Sequence, residues 1–229
     1  MSQGPASLSL YKRSVCEALG TGYLVAAIVG SGIMGERLAG GNTAIALLAN
    51  TLATGAALAA LILTFGPFSG AHFNPVVSLA IALRGQMPWA EVPLYAVAQF
   101  SGALLGTILA HLMFGRGWYS ISVHERSGIP QLLSEFVAAF GLLCVIWGCT
   151  KARSALATPI AVAGYIVAAY WFTASTSFAN PAVTLARCLT DTFSGIRPVD
   201  VPGFVIAQIA GALVATLLFG WLDRAPHVP

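Results

Sequence analysis

The sequence predicts an all-α membrane protein of six transmembrane helices plus two re-entrant half-helices, arranged as an inverted repeat. Three observations carry that expectation. Only 8% of the 229 residues are charged while 57% are hydrophobic, and a soluble domain carries about 25% charged residues. The chain therefore lacks the polar groups to cover a water-facing surface. Its few charges cut it into apolar intervals of spanning length, and an Asn-Pro pair recurs late in the two intervals that fit no whole number of spans.

The uncharged intervals run 18–35, 38–83, 92–115, 136–150, 154–186 and 201–222. A spanning helix needs about 20 mostly apolar residues. The first, third, fourth and sixth intervals each predict one span, the fourth starting near Gln131 and taking Glu135 inside. Lys12 and Arg13 precede the first apolar stretch, but no small-residue cleavage site closes it, which predicts a span and not a cleaved leader. The second and fifth intervals contain Asn74-Pro75 and Asn180-Pro181. Each predicts one full span, then a re-entrant loop and a half-helix that dips to mid-membrane. Irregular backbone at that depth is tolerated only when buried in protein or lining a water-filled cavity, which points to a pore or a transport site.

The chain also repeats itself. Residues 97–109 match 206–218 at seven of thirteen positions, and residues 74–83 match 180–189 at six of ten. Glu17 near the start of the first span has its counterpart in Glu135 near the start of the fourth. Repeats of roughly 11–115 and 130–224, each with three spans, must enter the membrane in opposite senses. Inverted repeats place the functional site at the midplane, where discontinuous helices meet.

Asn is a preferred N-cap and Pro suits the first helical position, so each Asn-Pro marks a helix start. Half-helices beginning at Pro75 and Pro181 would meet end to end near the bilayer centre, each end carrying roughly half a positive elementary charge. Such ends repel cations, and the Asn74 and Asn180 amides remain free to donate to a passing neutral molecule.

Other chemistry is excluded. The 11 basic and 8 acidic residues are spread too thinly for a nucleic-acid surface. Cys16, Cys144, Cys149 and Cys188 lie in apolar runs without metal-ligand spacing, as small buried hydrophobes do, and His111, His124 and His227 are too scattered to form a site. No metal or cofactor is expected.

The stretch Ser69-Gly70-Ala71-His72-Phe73-Asn74-Pro75-Val76, with Asn180-Pro181-Ala182, resembles the paired signature loops of the aquaporin/aquaglyceroporin family. The resemblance extends over nearly the whole chain, including Glu17-x-x-x-Thr21 and the helices of Gln99 and Gln208. It implies a single channel domain over 1–229, passing water and small uncharged solutes, embedded in the lipid of a prokaryotic inner membrane with both termini cytoplasmic, and assembled as a homotetramer. The charge distribution leans the same way only slightly: Lys12, Arg13, Arg84, Lys151, Arg153 and Arg224 would face inward against five basic residues outward. The first signature usually reads Asn-Pro-Ala in the family, and Val76 adds two methyl carbons beside the constriction.

The resemblance also implies a second narrowing, a four-residue filter, where this sequence departs from the pattern. The residue after the second signature, usually Arg, is Val183, and the second-span position, aromatic in water-selective members, aligns to Thr54. The loop position is Ser177. The fifth-span position is Ala168 by ungapped counting, or Tyr170 if the helix start is aligned instead. Val and Thr in place of Arg and an aromatic widen the filter and make it less polar, which is expected to admit glycerol-like polyols. Arsenic-resistance-associated bacterial members are similar at this filter, so undissociated metalloid or arsenical species are expected substrates as well.

Arg187 lies one helical turn beyond Val183, where it either supplies the missing charge at the outer mouth or snorkels to the interface. His72 either lines the inner vestibule or is a neutral histidine bonded to loop backbone. Glu17 and Glu135 resemble the family's structural supports for the re-entrant loops. Small residues at Gly102, Ala103 and Gly106, and at Gly211, Ala212 and Ala215, predict close helix packing between the halves. The alternative to a channel is a small secondary transporter of a neutral solute, which would need carboxylates in its path, and only Glu17 and Glu135 qualify. An enzyme would need a nucleophile–base set, and none is visible.

Overall fold

Proline and asparagine start most of the helices. In the computed structural model, which describes residues 8–150 and 154–224, the helices are α1 (Leu10–Leu38), α2 (Thr43–Ser69), α3 (Pro75–Leu83), α4 (Val92–Met113), α5 (Ile129–Cys149), α6 (Ala157–Phe172), α7 (Pro181–Arg187) and α8 (Val201–Leu222). Proline occupies the first turn of α3, α4, α5, α7 and α8, where its missing N–H leaves no hydrogen bond unmade. The Asn42 side chain caps α2, accepting from Ala44 N at 3.0 Å and Ile45 N at 3.2 Å. Gly70 ends it with φ +89°, a left-handed cap that glycine adopts without strain.

Five helices are long and apolar enough to cross a membrane: α1, α2, α4 with the short turn before it, α5, and α8 with its own. α6, at 16 residues, spans about 24 Å at 1.5 Å per residue and supplies the sixth crossing. The fold class agrees with the sequence expectation, including α3 and α7 as the half-helices. α1 is longer than its uncharged interval because Lys12, Arg13, Glu36 and Arg37 extend its two ends, where charged heads reach the polar interface. Lys151, Arg153 and His227 lie outside the described residues.

The small residues act differently from the expectation. They join helices within each half. A Cβ on Gly102 or Gly106 would overlap the carbonyl oxygens of Ala18 and Gly22 on α1, and one on Gly211 would overlap that of Phe136 on α5. α4 thus lies against α1, and α8 against α5, with backbones touching. The halves meet instead through the half-helices, α3 against α8 and α7 against α4, and along α2 and α6. Across one such junction Thr107 Oγ1 donates to Ala186 O at 3.2 Å. Both described chain ends lie on one side: Leu10 packs against Ala82 and Met87, which flank Arg84, and Arg84 beyond α3 pairs with Asp223 beyond α8 at 2.6 Å.

Gly211→Ala is expected to destabilise the protein by about 1–3 kcal/mol, the usual range for an overpacked contact, because backbone cannot yield. Gly164→Ala, with open space around the added carbon, is expected to cost nothing. Thermal unfolding in detergent measures both.

Candidate functional site

Two short loops enter the protein from opposite sides and are held by the same device. The loop before α3 places Ala71 and Phe73 at φ +49° and +51°, and the loop before α7 places Thr176, Ser177 and Ala179 at +61°, +50° and +51°. Such residues cost on the order of 1 kcal/mol or more each and persist only where their surroundings over-determine them. The surroundings here are two fully buried carboxylates. Glu17 Oε1 accepts from Ser69 Oγ (2.6 Å) and His72 N (3.0 Å), and Oε2 from Phe73 N (2.7 Å) and Gln99 Nε2 (2.9 Å). Glu135 Oε1 accepts from Ser175 Oγ (2.6 Å) and Phe178 N (2.9 Å), and Oε2 from Ala179 N (2.9 Å) and Gln208 Nε2 (2.6 Å).

The loops deliver the two asparagines to each other. Asn74 Oδ1 caps α3 by accepting from Val76 N at 3.1 Å, and Asn180 Oδ1 caps α7 by accepting from Ala182 N at 2.9 Å. Each amide nitrogen then crosses to the opposite loop: Asn74 Nδ2 donates to Ala179 O at 2.8 Å, and Asn180 Nδ2 to Phe73 O at 2.7 Å. The sequence left both amides free. The structure commits one hydrogen of each to the cross-link and leaves the second, since an amide nitrogen carries two.

Asn74 and Asn180 line a cavity of about 330 Å³. It extends from Gln86 and Thr158, on the side of the chain ends, to Thr54, Tyr170 and Arg187 on the other. Its walls are mostly aliphatic, with Leu24, Ile28, Leu58, Leu142, Val162 and Ile166 among them. His72 lines it, and its Nδ1 lies 3.0 Å from Ser78 Oγ, a side-chain partner where one of the two expectations had loop backbone. Val76 and Ala182 are buried in the hydrophobic core behind Pro75 and Pro181, and Val77, one residue on, faces the cavity.

Thr54, Ser177 and Val183 line the mouth away from the chain ends. Ala168 does not; it sits on the exposed face of α6, and Tyr170 lines the cavity with its hydroxyl 3.4 Å from Thr54 Oγ1. Helical spacing explains the correction. Val162, Ile166 and Tyr170 are four apart and share one face, and Ala168 falls on the reverse.

Arg187 is 1% exposed and lines the same mouth, so it does not reach out to an interface. Its Nε donates to Ser194 O, and its Cζ lies 3.4 Å from the Phe178 ring centroid. Arg126, which no motif singles out, sits beside the same ring at 4.9 Å. Arg126 donates to Gly195 O at 2.8 Å and Ser175 O at 3.1 Å, carbonyls that only the folded loops bring together. Burial pushes its guanidinium down to about 10, which leaves it charged at neutral pH. Burial first, and then the Arg126 and Arg187 charges, hold His124 below the usual imidazole range. The mouth is cationic through its arginines.

The family model for the major intrinsic proteins matches residues 5–174 and 152–226. The chain belongs to that family. A major intrinsic protein is a passive multi-pass membrane channel and not an enzyme, which removes the transporter reading as well. Among the relatives of this family member, aquaglyceroporin AqpS of Rhizobium meliloti (strain 1021) is 56% identical over 213 residues, covering 93% of this chain and 91% of that one. The probable aquaporin AqpM of Archaeoglobus fulgidus is 32% identical, over 95% of this chain and 99% of that one. The solved aquaglyceroporin from Plasmodium falciparum has the same fold, with a TM-score of 0.74 at 20% identity, covering 95% of this chain and 97% of its own.

Glu135→Gln turns one acceptor oxygen into a donor facing backbone N–H or Gln208. It is expected to destabilise the folded protein by about 1–3 kcal/mol, the cost of an unsatisfied buried donor, and to lower its yield on size-exclusion chromatography. Glu125→Gln, on an exposed ion pair, is expected to leave yield unchanged, since such pairs contribute little.

Proposed function

We propose that the chain is a single channel domain of two inverted repeats, about 11–115 and 130–224, passing water and small uncharged solutes: glycerol-like polyols and undissociated metalloid or arsenical acids. The observation that carries this reading is the mouth of the cavity, where Val183, Thr54 and Ser177 stand with an aliphatic wall. Selectivity in such pores depends on diameter, lining donors and electrostatic barriers. Val183 and Thr54 leave more room, and fewer fixed donors, than an arginine and an aromatic ring would. The relative named an aquaglyceroporin, at 56% identity, supports the polyol part of the reading.

In this reading Asn74 and Asn180 form the midplane constriction, Pro75, Val76, Pro181 and Ala182 stand behind them as the starts of the two half-helices, packed away from the lumen and not lining it as the sequence suggested, and His72 borders the inner vestibule. Thr54, Tyr170, Ser177 and Val183 form the filter, with Arg187 at the outer mouth. The channel sits in the plasma membrane as a homotetramer with both ends of each chain cytoplasmic. Both described ends on one side, and the small excess of basic residues there, support that orientation.

Val183→Arg tests the filter. In proteoliposomes the substitution is expected to cut glycerol and neutral metalloid-acid flux about tenfold or more, the effect of adding about 1.4 kcal/mol to a barrier, while water flux falls far less. Equal losses for water and glycerol would show that Val183 does not set the filter.

A further inference from the structure

The two re-entrant loops are built alike except at one carbonyl. Ser69 and Ser175 hold equivalent places. Each donates its hydroxyl to the buried glutamate of its half, and each accepts on Oγ from the N–H two residues on, Ala71 at 3.1 Å and Ser177 at 3.2 Å. In the first half the Ser69 carbonyl accepts from the Tyr95 hydroxyl at 2.9 Å. The second half has no such hydroxyl. In the register that pairs 97–109 with 206–218, Val92-Pro93-Leu94-Tyr95 corresponds to Val201-Pro202-Gly203-Phe204. The ring contacts agree with that register: Tyr95 lies 5.3 Å from His72 between centroids, and Phe204 lies 5.3 Å from Phe178, the counterpart of His72.

The missing donor comes from the segment that joins the halves. Arg126 Nη1 donates to Ser175 O at 3.1 Å, Nε donates to Gly195 O at 2.8 Å, and Nη2 reaches Phe193 O at 3.5 Å. The residue is 8% exposed, and a buried carbonyl left without a donor is destabilising. Its backbone is anchored as well. The Arg126 N–H donates to Asp200 Oδ2 at 2.8 Å, and nearby the Ser122 N–H donates to Cys188 O at 2.9 Å and the Arg197 N–H to His124 O at 2.8 Å. Ser175, whose carbonyl Arg126 holds, opens the stretch in which Thr176, Ser177 and Ala179 take left-handed φ. Backbone of that kind keeps its shape only while its surroundings fix it, and Ser177 lines the mouth away from the chain ends.

We propose that Arg126 is a positioning residue of the channel: it gives the loop before α7 the hydrogen bond that Tyr95 gives the loop before α3, and so sets how sharply that mouth discriminates solutes by size. Arg126 is not part of the cavity wall. It acts through Ser175 O, which fixes the turn that sets Ser177 against the lumen. A charged fork on several carbonyls holds more firmly than one neutral phenol, so the loop at the selective mouth is the stiffer of the two. The inference deepens the channel reading and rests on it.

The test is a rescue by the residue that the other half uses. Full-length wild type, Arg126→Ala and the double variant Arg126→Ala with Phe204→Tyr are checked for monodispersity and reconstituted in proteoliposomes. Permeabilities to water, glycerol and the bulkier erythritol are read by stopped-flow light scattering. Arg126→Ala is expected to lower the glycerol-to-erythritol ratio about fivefold, the effect of one ordinary hydrogen bond. Phe204→Tyr then places a hydroxyl where Tyr95 reaches Ser69 O in the first half, and is expected to recover at least about twofold of that loss, the low end of coupling between residues that share a partner. A merely structural role scales all three permeabilities together. An unchanged or raised ratio in Arg126→Ala, or a lowered one that Phe204→Tyr does not restore, overturns the proposal. If Arg126→Ala is not monodisperse, Arg126→Lys carries the same comparison, since it keeps the charge but lacks the planar fork. Wild-type vesicles no more permeable to glycerol than empty ones would instead remove the polyol channel reading itself.

Discussion

Each re-entrant loop exists because one carboxylate accepts the hydrogen bonds that lipid cannot. Backbone that leaves a helix inside a membrane exposes N–H groups with no water to receive them. Glu17 receives the N–H groups of His72 and Phe73, and Glu135 those of Phe178 and Ala179. A glutamine from the adjoining helix completes each set, Gln99 or Gln208, and also bonds a hydroxyl on the half-helix, Ser78 or Thr184. One buried group therefore ties a spanning helix, a loop and a half-helix into a unit. The left-handed residues of the loops are held in place by it, and the asparagines are aimed by it.

From that constraint the waist of the pore follows. The loops are cross-linked by their own asparagines, so neither can shift without the other. α3 and α7 start at the waist with capped N-termini, and helix N-termini carry partial positive charge. An aliphatic wall gives an ion nothing in exchange for its hydration, and the partial charges oppose a cation further, an electrostatic barrier already known in aquaporins. A neutral solute loses less on entry and regains hydrogen bonds at the few places where polar groups reach the lumen.

Much of this was legible because polar residues stand out in an apolar chain. Asn74, Asn180, Glu17, Glu135, Gln99 and Gln208 have few reasons to sit inside spans, and their recurrence in two halves marked the architecture. Orientation about a helix axis was harder. Ala168 and Tyr170 differ by two residues and therefore by nearly half a turn, and α6 is apolar all round, so no periodicity chose between them. The partners of Gly102 and Gly211 escaped for a related reason: small residues announce close packing without naming the helix they pack on. Arg126 was invisible because its burial depends on carbonyls from three loop positions, Ser175, Phe193 and Gly195, far from it in sequence. Arg187 was legible as a charge near the mouth, but its support by Phe178 and Ser194 arises only in the folded loop.

The central claim is that a continuous solute path passes between the two asparagines at the meeting point of α3 and α7. A high-resolution electron cryo-microscopy map of the protein in lipid nanodiscs, collected with glycerol present, tests it most directly. The account requires density in single file along the cavity, with solute or water oxygens about 3 Å from Asn74 Nδ2 and Asn180 Nδ2. A waist filled by packed side chains, or the two asparagines separated by a helix, would contradict it.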